Sequence, residues 1–141
     1  MPATGTAAFD STIQTTNVWL HDLMERLAWA DQERAYHALR AVLHAVRDRL
    51  TVDQIAGLAA QLPLLVRGMF YEGWQPAKAP LKIRKKDEFY EHVSRELDSS
   101  TLVSIERITD AVLAVLAKHI DHGEVAHIKA TLPGPLREMW P

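Results

Sequence analysis

The sequence has no cysteine. Disulfides, thiolate zinc sites and thiol nucleophiles are therefore excluded, and only histidine and carboxylate side chains remain as metal ligands. It also lacks a long apolar run. The richest stretch, Ala111 to Ala117, is closed by Asp110 and Lys118, well short of the ~18 residues a bilayer span needs, so no membrane insertion is expected. Neither sign of charge dominates, because 16 Lys and Arg face 18 Asp and Glu for a net charge of −2. Global attraction to nucleic acid or anionic lipid is thereby absent, and nucleic acid is not an expected partner. The opening Met1 to Ala8 carries neither the basic start nor the apolar run of a signal peptide, which predicts a cytoplasmic protein. No glycine-rich phosphate loop, G-x-S-x-G or H-E-x-x-H motif occurs, so the case for an enzyme is thin and no cofactor is expected.

What the sequence does contain is itself, nearly twice. An offset of 70 lays Trp19 to Phe70 without a gap on Phe89 to Trp140, with ten of the 52 pairs identical. Leu27 meets Leu97, Ala41-Val42-Leu43 meets Ala111-Val112-Leu113, and Leu62, Pro63 and Arg67 meet Leu132, Pro133 and Arg137. Apolar positions persist across the offset and polar ones do not, so the duplication reports on architecture and not on chemistry. It predicts an all-α bundle of about eight helices built from two pseudo-symmetric four-helix repeats. Residues 1–10 read as a frayed N-terminus, 11–74 as the first repeat, 75–86 as a basic, proline-containing linker and 87–141 as the second repeat.

Local signals define the helices within each half. Trp19, Leu20, Leu23 and Leu27 mark a helix from Val18 to Trp29, with Thr16 or Asn17 as N-cap. Asp31 caps the next, whose Ala35, Leu39, Val42, Val46 and Leu50 form one stripe. Thr51 and Gln54 make a capping box for a third helix. Pro63 opens a fourth, and Gly73 ends it with Trp74 folding back. In the second half Phe89, Tyr90, Val93 and Leu97 mark the first helix, and Ser100 or Thr101 caps a second running to Ile120. That helix is apolar nearly all round and is expected at the centre, against the helix from Asp31 to Leu50. Asp121 caps the third, and Pro133 begins a short fourth.

Four groups of residues are candidates for function. His119, His122 and His127 crowd together with Asp121 and Glu124, and imidazole with carboxylate suits a divalent metal. Their spacing straddles a helix break, however, and a solvated interhelical turn is the favoured account of them. The basic linker residues Lys78, Lys82, Arg84, Lys85 and Lys86 are read as a solvated connection rather than a phosphate-binding patch. Arg67 and Arg137, the only charged residues identical across the offset, either receive a partner's carboxylate or clamp the carbonyls of the preceding helix end, and the clamp is the expectation. The aromatic segment Phe70, Tyr71 and Trp74 is a candidate interaction surface. The leading reading is a non-enzymatic interaction or scaffold module, binding a protein partner or itself. The alternative is a small-ligand or metal-dependent protein using the cleft between the repeats or the three histidines.

The repeated Leu-Pro-x-x-x-Arg segments, Leu62-Pro63 to Arg67 and Leu132-Pro133 to Arg137, each follow an Ala-Val-Leu helix and a capped break. With Gly68-Met-Phe-Tyr-Glu-Gly-Trp74 after the first, the chain resembles the bacterial domain of unknown function 2267 family from about Phe9 to Trp140. The resemblance implies an all-α fold of two related halves, and it implies no catalytic residue, cofactor or activity.

Overall fold

The computed structural model describes residues 4–97 and 104–141. Among them are eight α-helices and no strand: α1 (Ala7–Leu27), α2 (Gln32–Arg49), α3 (Val52–Ala59), α4 (Leu64–Tyr71), α5 (Lys86–Glu96), α6 (Ile105–His119), α7 (His122–Thr131) and α8 (Gly134–Arg137). A 3₁₀ turn at Pro76–Lys78 lies between α4 and α5. None of these helices is long and apolar enough to cross a membrane.

The helix starts obey the capping chemistry. Asp31 accepts from the backbone N–H groups of Glu33 and Arg34, and Thr51 and Gln54 satisfy each other's backbone in a capping box. Asp121 accepts from the Glu124 N–H at the start of α7. Gly73 adopts a left-handed φ of 73° just past α4, which a residue without Cβ tolerates freely. Trp74 then folds back so that its ring lies 5.6 Å from that of Tyr71. The second capping expectation, Ser100 or Thr101, lies outside the described residues, and α6 is capped by Ser104 instead.

Two expectations are corrected. First, α1 starts at Ala7 and not at Val18, so Thr16 and Asn17 lie inside the helix and four residues of the supposed frayed terminus are helical. The reason is that Phe9 and Ile13 do continue the apolar stripe, but they are exposed and so do not join the core that the offset preserves. Second, the helix buried on several sides is α2. It packs against α1, α4, α5 and α6, with ten consecutive or nearly consecutive buried positions from Ala35 to Arg47. Four of these are alanines and two are His44 and Arg47, so small and polar side chains concealed how central this helix is. Its neighbour α6 buries Ile108, Thr109, Val112, Leu113, Val115 and Leu116.

The 75–86 segment is extended, yet it is tied down. The Leu81 N–H donates to the Asp48 carbonyl at 2.8 Å, Arg49 Nε donates to the Ile83 carbonyl at 2.6 Å, and Ile83 itself enters the core.

Candidate functional site

The two Leu-Pro-x-x-x-Arg segments build the same local device. Arg67 donates from Nε to the Ala59 carbonyl at 2.8 Å and from Nη2 to that of Leu62 at 3.0 Å. Arg137 donates to Lys129 at 3.1 Å and Leu132 at 2.9 Å. In each case the guanidinium fork spans a last-turn carbonyl of the preceding helix, which also accepts the N–H of the following leucine, and the carbonyl of that leucine itself. A side chain committed in this way holds a helix break together.

A larger polar network surrounds the end of α4. His44, fully enclosed on α2, directs Nε2 at the Met69 carbonyl at 2.8 Å and Nδ1 at the Glu96 carboxylate of α5. Both ring nitrogens thus face oxygen atoms, one of α4 and one of α5, so the imidazole ties α2 to both helices. Arg47 Nη1 donates to the carbonyls of Phe70 at 3.0 Å and Glu72 at 2.8 Å. Its Nε donates to Asp48 Oδ1 at 2.7 Å, and Asp48 Oδ2 accepts from His92 Nε2 at 2.8 Å. Burial by itself would raise the Asp48 pKa, but the His92 and Arg47 bonds outweigh it and hold the carboxyl below its usual value. Burying the Arg47 guanidinium and the His44 ring here is tolerable because each meets carbonyls or carboxylates.

Beside this network lies a cavity of about 290 Å³ whose walls include Arg47, Asp48, Trp74, Lys78, His92 and Glu96. The Trp74 indole N–H is buried and finds no acceptor among the described residues.

A second concavity, of about 1060 Å³, is an apolar groove between α1 and α4. Phe9 and Ile13 of α1 and Leu64 and Leu65 of α4 line it, although each is 41–52% exposed. Gly68 on its floor has open space where a Cβ would stand. Thr16, which also lines the groove, is buried with its hydroxyl unpartnered. Glu33 and Glu72 are the ionisable carboxylates along it. Sequence reasoning missed this surface because half of it lies before Val18. The signal present was Phe9 and Ile13 at i and i+4.

The other sequence candidates fall out differently. Phe70 is fully buried and cannot belong to a surface, whereas Tyr71 and Trp74 are half-buried. His119 stacks on Trp19 with ring centroids 5.3 Å apart and bonds Asp22 Oδ2 at 2.9 Å, while His122 and His127 are exposed on α7. Among the described residues no group of three or more His, Asp and Glu side chains is arranged to hold a metal ion, so the three histidines are not brought together. Of the basic linker residues, Lys78 reaches the polar cavity and Lys86 pairs with Glu138 at 3.5 Å.

A family model described as "Uncharacterized conserved protein (DUF2267)" matches residues 16–139. No curated protein matches the chain.

Proposed function

The chain belongs to the DUF2267 family, and from that premise we propose that it is a non-enzymatic interaction module whose α1–α4 groove receives an amphipathic helix of a partner protein. The observation that carries this is the exposed row of Phe9, Ile13, Leu64 and Leu65 on two neighbouring helices. Apolar side chains of this size exposed together mark contact surfaces. Two helices with open space over Gly68 leave a trough in which a third can lie by ridges-into-grooves packing. Among the described residues the carboxylates along the groove are Glu33 and Glu72, and since Glu72 is paired with Arg40 at 2.6 Å, the fitting helix is apolar on one face with a basic flank toward Glu33.

The architecture behind this reading is two related halves, of a bacterial and cytoplasmic protein. Its support is reciprocal packing across the 70-residue offset: α1 of the first half lies on α6 of the second, and α5 of the second lies on α2 of the first. The Arg67 and Arg137 clamps add the same bonds at the same offset.

Titration of the full-length protein with a leucine–lysine amphipathic helical peptide tests the proposal, with a leucine–glutamate peptide of the same pattern as control. We expect the basic peptide alone to bind, and Leu65→Glu to weaken it at least about tenfold. Equal binding of both peptides, or indifference to Leu65→Glu, overturns the reading, as does sedimentation showing that the groove closes on a second copy.

A further inference from the structure

We propose that the cavity between the end of α2, the turn at Pro76–Lys78 and α5 is a binding site for a small anion, a phosphate or carboxylate group carried by a metabolite. Several charges around the cavity are already committed. Asp48 spends both oxygens, one on Arg47 and one on His92. Glu96 receives His44 and lies 3.8 Å from Arg40. Both oxygens of Asp48 are therefore engaged within the protein, and Glu96 is engaged through Oε1.

Among the cations of the described residues, Arg47 balances Asp48 but keeps one N–H unspent, and Lys78 is uncommitted. Arg47 spends Nε and Nη1 on Asp48, Phe70 and Glu72, which leaves Nη2 of a side chain only 5% exposed with no acceptor among the described residues. That nitrogen belongs to a guanidinium pinned by three other bonds, so its direction is set before any ligand arrives. Lys78 lies on the same cavity and has no carboxylate partner among the described residues. The Arg47 guanidinium and the Lys78 ammonium, both on the wall of this cavity, are charge-assisted donors of the kind that planar carboxylates and tetrahedral phosphates accept from. At about 290 Å³ the cavity has room for either group and a few further atoms, but not for a polymer. Trp74 forms part of the wall, so its indole signal reports occupancy directly.

The site is independent of the apolar groove and of any partner bound there. Its test is the melting temperature of the full-length protein, with the Trp74 indole N–H resonance, against sodium phosphate and sodium succinate at constant ionic strength. Saturation with at least one of them should raise the melting temperature by about 5–10 °C at a hundredfold excess over Kd. The Trp74 resonance should move in parallel. Lys78→Glu, on an exposed turn, should abolish both changes, and Lys82→Glu, on the same linker but off the cavity wall, should leave them intact. A response to phosphate alone assigns a phosphoester ligand, and a response to succinate alone an organic acid. The proposal is overturned if neither salt acts beyond sodium chloride, or if Lys82→Glu removes the response as fully as Lys78→Glu.

Discussion

His92 Nε2 donates to Asp48 Oδ2 across 2.8 Å, tying α5 to the last turn of α2. A second bond of the same kind, His119 to Asp22 at 2.9 Å, ties α6 to α1. Position 92 is 22 plus 70, and 119 is 49 plus 70, one residue beyond Asp48. Across the offset, then, imidazole and carboxylate have changed places while the contact between helices has stayed. An identity count sees nothing here, although the physical pairing is retained.

Acid should weaken the fold through Asp48. Its carboxyl titrates below the ordinary 3.8 when folded, so it binds protons more readily in the unfolded chain. The stability it contributes is complete above that ordinary value and is lost as pH falls through the lower folded value. Asp48→Asn should cost about 1–2 kcal/mol at neutral pH, by removing charge-assisted bonds to Arg47 and His92. The penalty should shrink toward pH ~2. Urea unfolding of both proteins across that range checks the prediction; a penalty that grows in acid would refute it.

Leu116 is fully enclosed in α6. Leu116→Ala should cost on the order of 2–5 kcal/mol, as core truncations do when the surroundings cannot collapse into the space. Calorimetric melting is a sufficient measurement. An unchanged melting temperature would contradict the packing described for α6.

Much of this core was legible because burial in helices repeats every three to four residues. Leu23, Leu39, Val42, Leu58 and Val112 announce themselves in that rhythm and are all buried. What periodicity could not show was a helix buried through alanines and two polar residues. His44 and Arg47 read as surface until the carbonyls of Met69, Phe70 and Glu72 are placed beside them. Those carbonyls come from a helix about 25 residues away in sequence, and no local pattern encodes that approach. The groove was missed for the opposite reason, since Phe9 and Ile13 are apolar but stay outside the core.

The arginine clamps should distinguish Arg from Lys. A lysine presents one ammonium and cannot span two carbonyls as the guanidinium fork does. Arg67→Lys should therefore cost about 1–2 kcal/mol. Arg137→Lys should cost less, because Arg137 is exposed and its bonds compete with water. Chemical denaturation of the two single variants provides the comparison. Equal costs would show that exposure does not weigh on these bonds.

Gly68 separates stability from docking. It lies inside α4 with a Cβ position open to space, so nothing in the chain requires glycine there. Gly68→Ala should stabilise the protein by about 0.5–1 kcal/mol, since glycine in a helix interior loses more backbone freedom on folding than alanine. Gly68→Trp should also fold, because its side chain projects into the groove and not into the core. It should nevertheless block the basic amphipathic peptide by occupying the floor on which that helix would lie. Melting temperature and peptide titration on both variants read the two effects apart. If Gly68→Trp is folded and still binds the peptide with unchanged affinity, the helix does not lie over Gly68 and the α1–α4 groove is not its seat.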